Sequence, residues 1–377
     1  MLKNEEMIKI LIDEIKEMKE ENTKRINELI KINEEKEKKI NRLENEYNEL
    51  KEIVYEIDDN IKDKYRKEIN IIYKTEKEGK YNIFGEEFVE KNKNNIDLEI
   101  NGRKNKLIKE YILKKGNNNI KMKIKNKITD LQYMFDKCDK LKDINELKYL
   151  NIKYCNNFKY MLSGCLSLSN IKGLEMWNVS NGINFESMFS GCSSLSDIKG
   201  LEKWNVSNNN NFRSMFYGCS SLSDIKELEN WNVSNGINFE SMFFRCSSLS
   251  DIKGLEKWNV SNGNNFSGMF LGCSLLSDIK GLEKWNVSNG NNFQSMFSEC
   301  SSLSNIKGLE KWNVSNGKDF SHMFSECSSL ANIKELEKWN ISNGEYFSSM
   351  FYNCSLISDV KELEKWNLSK SLLFNIK

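Results

Sequence analysis

Cysteine is the residue type whose spacing in this chain most suggests a chemical role. Nine of the ten cysteines recur at intervals of 27 residues, and Cys155 lies outside that series. A disulfide between neighbours in the series is sterically allowed, because adjacent strands of a stacked coil lie roughly 5 Å apart and a disulfide can span that distance. The odd number in the series and the apolar residues around each member instead favour small buried thiols. The series is Cys138, Cys165, Cys192, Cys219, Cys246, Cys273, Cys300, Cys327 and Cys354.

Neither metal binding nor catalysis is indicated. No two cysteines form a Cys-x-x-Cys pair, and His322 is the only histidine, so the ligand sets of common metal sites are missing. The sequence has no glycine-rich loop of the type that holds phosphate and no unique nucleophile beside a base. Catalytic groups are normally single, whereas nearly every candidate here recurs with the period. We therefore predict a protein that is not an enzyme, with no catalytic residues, no metal site and no cofactor.

The segments that carry the cysteines form an internal repeat. Methionine recurs every 27 residues and is followed by Phe each time, except at Met161, which precedes Leu162. One unit is too short to enclose its own apolar residues, whereas stacked units place each side chain over its equivalent and build a continuous core. We predict a repeat solenoid whose units each contain a short strand, near 195–201 in one unit, and a short helix, near 211–219. The apolar residues of the unit beginning at Met188 are Met188, Phe189, Cys192, Leu195, Ile198, Leu201, Trp204, Val206 and Phe212.

Two motifs recur in these units: Met-Phe-x-x-Cys-Ser-Ser-Leu-Ser-x-Ile, as at 188–198, and Trp-Asn-Val-Ser-Asn, as at 204–208. They resemble the BspA-like leucine-rich repeat family, and the likeness covers about 131–377. The resemblance implies a solenoid of leucine-rich type. Members of that family are typically surface proteins of bacteria and of some protists, so the resemblance also implies adhesion or protein binding and no catalytic residues.

The N-terminal segment, 1–72, is predicted to form an α-helical coiled coil. Apolar residues such as Ile40, Leu43, Tyr47 and Leu50 follow heptad spacing, which is typical of a coiled-coil seam. Polar residues such as Asn22 interrupt the seam, and a polar seam residue can fix register and strand number. We therefore predict a homo-oligomer formed through this segment. The alternative is a single solvated helix held by Glu and Lys pairs.

The next segment, 73–130, is predicted to be a small β-rich cap on the nine-unit solenoid, which spans 131–377. Ile96, Leu98 and Ile100 alternate with polar residues and lead into Asn101-Gly102. Asn-Gly after such an alternation is a strong hairpin signal. A cap is expected here because the first unit of a solenoid must be shielded from water.

A second column of identical residues is formed by tryptophan. The repeat position favours a stacked structural spine, and the alternative is an exposed aromatic stripe that binds peptide or glycan. The column is Trp177, Trp204, Trp231, Trp258, Trp285, Trp312, Trp339 and Trp366.

Charge and hydropathy limit the classes of partner. The formal net charge is +1, so no field of a single sign directs the chain to nucleic acid or to a membrane surface. The N-terminus lacks the apolar segment of roughly 7 to 15 residues found in a signal peptide. No run of about 18 apolar residues occurs in the chain. We expect a cytoplasmic protein with no nucleic-acid partner and no membrane span, with the cell surface as the alternative.

The units differ chiefly just after Met-Phe and just before the next Phe. Variation on a constant frame is where a partner can be recognised, and neutral drift at tolerant surface positions is an equal alternative. We predict a non-enzymatic protein–protein interaction scaffold, made multivalent by the coiled coil. The alternative is a cell-surface adhesin that binds a protein or glycan of a host or neighbouring cell. The candidate partner-binding residues are Tyr217, Phe244, Arg245, Leu271, Glu299, Lys318, Asp319, Glu345, Tyr346 and Tyr352.

Overall fold

The structure is a computed structural model with two compact units, Met1–Tyr65 and Arg66–Lys377. In the second unit it describes residues 66–358, 361–369 and 372–373. In the first it describes residues 25, 28, 31–33, 35–40, 42–48 and 51.

The described residues of the first unit are helical, and nearly all of their side chains are exposed. Ile40, Leu43 and Tyr47 are 54%, 54% and 64% exposed. Among the described residues of this unit no second helix is present, so the predicted coiled coil is not shown. The apolar residues of a heptad seam become buried only against a partner helix. The described residues of this unit provide no such partner. The seam positions Asn22 and Leu50 lie outside the described residues.

The second unit begins with antiparallel sheets. The elements are β1 Glu68–Thr75, β2 Gly79–Asn82, α1 Glu86–Asn92, β3 Ile96–Ile100, β4 Arg103–Lys106, β5 Glu110–Leu113, β6 Gly116–Ile124 and β7 Leu141–Asp143. Five strands pair in the order β4-β3-β6-β1-β7, and β2 pairs with β5. Because β1 starts at Glu68, residues 68–72 are strand, although the sequence predicted them to be part of the helical segment.

The hairpin predicted at Asn101-Gly102 is confirmed. Ile100 of β3 pairs with Arg103 of β4, and the two turn residues have φ of 47° and 83°. Positive φ at both central residues is typical of a type I′ turn, whose backbone twist matches that of the strands it joins. Ile96, Leu98 and Ile100 are buried, as the alternation predicts.

The sheet region packs directly on the first repeat, because β7 belongs to that repeat and pairs with β1. The ring of Phe84 stacks on Phe135 with centroids 5.4 Å apart. The N–H of Gly85 donates to the carbonyl of Met134 at 3.1 Å, and an added Cβ at Gly85 would lie 1.9 Å from the Tyr133 carbonyl oxygen. Glycine is therefore needed where the two backbones meet. The apolar end of the first repeat is covered here.

Residues 131–358 form a stack of 27-residue repeats joined by backbone hydrogen bonds. In the segment around each Met-Phe pair, every second N–H donates to a carbonyl of the next repeat. The N–H groups between them donate to the carbonyl three residues earlier. In one repeat the bonds to the next repeat are Phe212 to Asn238, Ser214 to Glu240, Phe216 to Met242 and Gly218 to Phe244, at 2.7 to 2.9 Å.

The helix predicted near 211–219 is wrong. Ser214 and Gly218 have φ of 54° and 68°, in the left-handed region that a right-handed helix cannot contain. The strand predicted near 195–201 is also absent. Single parallel bridges, such as Asn211 to Asn238, join neighbouring repeats instead.

Three-residue turns account for the three-step spacing of apolar residues in each repeat. The N–H of Leu195 donates to the carbonyl of Cys192 at 2.9 Å, and the N–H of Trp204 donates to the carbonyl of Leu201 at 3.0 Å. A 3-10 turn over Leu201–Lys203 belongs to this series. Hydrogen bonds to the third preceding residue return a side chain to the same face every three residues.

Candidate functional site

Aromatic columns fill the interior of the repeats. Phe243 is fully buried, with ring centroids 5.6 Å from Phe216 and 5.8 Å from Phe270. The tryptophans are between 3% and 7% exposed, so the structural spine is confirmed and the exposed tryptophan stripe is wrong. The indole Nε1 of Trp258 donates to the Leu228 carbonyl of the preceding repeat at 2.8 Å. The same bond recurs along the column, except that Trp366 Nε1 has no partner.

The cysteine column is buried as predicted, and all ten cysteines are free thiols. The Sγ of Cys219 donates to the carbonyl oxygen of Phe189 in the preceding repeat at 3.2 Å. Burial raises the pKa of the Cys273 thiol to about 12. A thiol with so high a pKa is neither a nucleophile nor a metal ligand at neutral pH. Among the residues that the structure describes, no group of three His, Cys, Asp or Glu side chains is arranged to hold a metal.

The predicted partner-binding residues all lie in one segment of the repeat. It runs from five residues before each Met of the 27-residue series to three residues after it. We call the outward side chains of this segment the variable face. Tyr217, Phe244, Leu271 and Tyr352 share the position two residues after Met, and Arg245 and Glu299 share the next position. Lys318 and Glu345 stand five residues before Met, and Asp319 and Tyr346 stand four before it.

The structure brings three of these residues together, and we call Tyr217, Phe244 and Leu271 the aromatic strip. The rings of Tyr217 and Phe244 stack in parallel with centroids 4.4 Å apart. Phe244 and Leu271 both border Gly268, where an added Cβ would lie 3.8 and 3.9 Å from them. Tyr217 is 37% exposed, and the other two are half-buried. The strip therefore offers a continuous apolar surface across three repeats.

Charged and small residues border the aromatic strip. The Arg245 guanidinium lies 5.3 Å from the Phe244 ring centroid and 4.0 Å from the Glu299 carboxylate. The corresponding position of the strip is serine in four other repeats, at Ser163, Ser190, Ser298 and Ser325. The apolar character is thus confined to the middle of the array, apart from Tyr352 in the last repeat.

The other predicted residues form a separate group near the C-terminal repeats. Lys318 Nζ lies 2.8 Å from a Glu345 carboxylate oxygen, and Asp319 forms a parallel bridge with Tyr346. Lys318 and Glu345 line a groove of about 530 Å³ whose remaining lining residues are all asparagines. Those asparagines were not predicted as site residues, although one of their columns recurs every 27 residues from Asn181 to Asn343.

A ladder of charges on the variable face was also missed. The Lys159 Nζ lies 3.1 Å from a carboxylate oxygen of Glu186. The Arg213 guanidinium nitrogens lie 3.8 Å from the Glu186 carboxylate and 3.1 Å from the Glu240 carboxylate. The sign alternates from one repeat to the next at a single position of the repeat. Like charges at this position would repel one another. Because the sign alternates, the side chains form ion pairs that link four consecutive repeats. The alternation could have been found in the sequence, because Lys159, Glu186, Arg213 and Glu240 each stand two residues before a Met of the 27-residue series.

No helix among the described residues is both long and apolar enough to cross a bilayer.

Comparison with known proteins places the array in a family. The family described as "Mycoplasma protein of unknown function, DUF285" matches residues 108–224, 196–306 and 276–375. Among solved structures, a leucine rich cell surface protein from Faecalibacterium prausnitzii A2-165 is similar at 11% identity with a TM-score of 0.19, over 67% of this chain and 92% of that one. No curated protein matches the sequence. Because the three matches together cover most of the chain, it belongs to the DUF285 family.

Proposed function

We propose that this protein binds another protein through the aromatic strip and catalyses no reaction. The observation that carries the proposal is the parallel stack of Tyr217 and Phe244, with centroids 4.4 Å apart, at a position where four of the nine repeats have serine. Large apolar side chains grouped on a surface commonly mark a binding site. Tyr and Arg are also the residue types that most often dominate the binding energy of protein interfaces.

The surroundings of the strip support a protein partner. The Arg245 side chain is 62% exposed and is paired only loosely with Glu299, so it remains able to donate to a carboxylate or carbonyl of a partner. Small residues at Gly218 and Gly272 adjoin Arg245 in the neighbouring repeats. A centre of apolar residues with a polar rim is the usual arrangement of a protein interface.

Site-specific photocrosslinking in the native cell tests this proposal. A benzophenone amino acid at position 244 should give a discrete adduct with a partner protein, and the same probe at position 275 should not. Leu275 is the matched control because it is 53% exposed and lies outside the variable face. The change Tyr217→Ser with Leu271→Ser should abolish the adduct at 244. Equal adducts at the two positions, or an adduct that survives these changes, would refute the proposal.

The N-terminal helical segment is proposed to gather several copies of the chain. The supporting observation is that Ile40, Leu43 and Tyr47 have heptad spacing and are more than half exposed. A second copy of the same segment would bury them, and several linked arrays would bind more tightly through effective concentration. Deletion of residues 1–65 should reduce the mass measured by light scattering by more than the mass of the deleted residues. A reduction equal to the deleted mass alone would refute oligomerisation through this segment.

Adhesion at the cell surface is the alternative role, and the likeness of the repeat motifs to BspA-like proteins supports it. Protease treatment of intact cells separates the two: degradation of the array favours adhesion, and protection favours an internal scaffold.

A further inference from the structure

A groove with polar walls crosses the last four complete repeats. We call it the asparagine groove, and its lining residues are Asn264, Asn289, Asn291, Asn316, Lys318, Asn343 and Glu345. Between its two walls runs a line of glycines that includes Gly290. An added Cβ at Gly290 would lie 2.4 Å from the Phe293 ring. A side chain is therefore excluded at Gly290, and the lining side chains stand to either side of it in the chain.

One wall is an ordered ladder of amides. The Nδ2 atoms of Asn289, Asn316 and Asn343 each donate to the carbonyl of a serine in the preceding repeat at 2.7 Å. This bond fixes the orientation of each amide. Within the described part of the chain, the Oδ1 atoms of these three residues accept no hydrogen bond, so they are available to a ligand. Groups that are held before binding lose little conformational entropy when the ligand arrives.

The charge of the groove points to a neutral ligand. Lys318 and Glu345 are the only charged residues in the lining, and they pair at 2.8 Å. The remaining groups are amides, which both donate and accept hydrogen bonds. Hydroxyl groups have the same double capacity. A ligand rich in hydroxyls therefore satisfies this lining without bringing a counter-charge.

The spacing of the ladder discriminates between a glycan and a peptide. Neighbouring turns of a strand-like stack lie roughly 5 Å apart, whereas an extended peptide presents side chains to one face only every 6.6 to 6.8 Å or so. A peptide would therefore lose register with the amides within a few turns. A pyranose unit in an extended β-linked chain has nearly the length of one turn. We infer that the asparagine groove binds a neutral linear β-linked glycan along the axis of the array, a site separate from the aromatic strip.

Titration of the full-length protein with cellohexaose and with chitohexaose, followed by calorimetry, tests this inference. At least one of the two should bind. Asn316→Ala should then weaken binding at least tenfold, because it removes an amide from the middle of the wall. The matched control is Asn235→Ala, since Asn235 makes the same 2.7 Å bond to the preceding repeat but lies outside the groove. That change should leave the affinity unaltered.

Three results would overturn the inference. The first is that neither hexasaccharide binds. The second is that Asn235→Ala and Asn316→Ala weaken binding equally, since the shared structural bond would then explain both. The third is that an uncharged Gly-Ser peptide of similar length displaces the glycan, since the groove would then recognise peptide amides. Photocrosslinking at position 244 is independent of each result, so the protein-binding proposal stands or fails separately.

Discussion

Phe243 and Phe244 are adjacent in the chain but belong to regions under different constraints. Phe243 is fully buried and stacks on its equivalents in both neighbouring repeats. Phe244 faces outward, and its equivalents in other repeats include Ser190, Tyr217 and Leu271. An interior side chain is therefore shared among three repeats, whereas an outward one is free to vary. The array separates the residues that hold it together from those that can recognise a partner.

The largest expected effect is that of Phe243→Ala. Removal of a buried phenylalanine leaves a cavity and should lower the free energy of unfolding by about 3 to 5 kcal/mol. Urea denaturation followed by circular dichroism measures this loss. The control is Phe244→Ala, which should cost much less because the side chain is only half-buried. Equal losses for the two variants would contradict the separation of interior from variable face.

Trp258→Phe should have the next largest effect. The change removes the indole donor to the Leu228 carbonyl, which keeps only the Trp231 N–H at 3.1 Å, and loss of one such hydrogen bond costs about 0.5 to 1.5 kcal/mol. Trp366→Phe is the matched control, because Trp366 Nε1 has no acceptor to lose. Thermal or urea unfolding should therefore show a greater loss for Trp258→Phe. If the control costs as much, the cross-repeat hydrogen bonds contribute nothing measurable.

The cysteine column should make the interior sensitive to alkaline pH. Burial raises the pKa of Cys273 to about 12, while an unfolded cysteine titrates at about 8.5. The unfolded chain therefore releases its proton first, and stability is lost as pH rises from the unfolded value toward the folded one. Between pH 8.5 and 9.5 the wild type should lose about 1 kcal/mol more than Cys273→Ala. Urea titrations at both pH values under reducing conditions measure this difference, and parallel losses would show that the thiol titrates normally.

Leu271→Ser should have the smallest effect on stability. Serine occupies the same position in the next repeat, at Ser298, so we expect a change within about 0.5 kcal/mol. The buried Leu276 provides the contrast, because Leu276→Ala should cost about 2 to 5 kcal/mol. Urea denaturation of both variants provides the test. A loss for Leu271→Ser close to that for Leu276→Ala would assign Leu271 to the interior.

Sequence reasoning succeeded where a residue's environment repeats. The burial of Trp258 and Cys273 followed from their recurrence among apolar neighbours, and the hairpin at Asn101-Gly102 followed from local turn chemistry. It failed at 211–219, because the partners of alternate N–H groups there are carbonyls of the next repeat. It also missed the asparagine groove. Its two walls stand on either side of buried glycines, and only the stacking of repeats makes them a groove.

The sequence by itself determined the period, the identity of the interior columns and the positions that vary between repeats. These properties depend on side-chain type and on position within the repeat, both of which are readable along one dimension. Only the tertiary structure decided the backbone conformation of each unit, the contact of Tyr217 with Phe244 and the orientation of the asparagine amides. Those features depend on hydrogen bonds and packing between residues about one repeat apart, and no local preference specifies them.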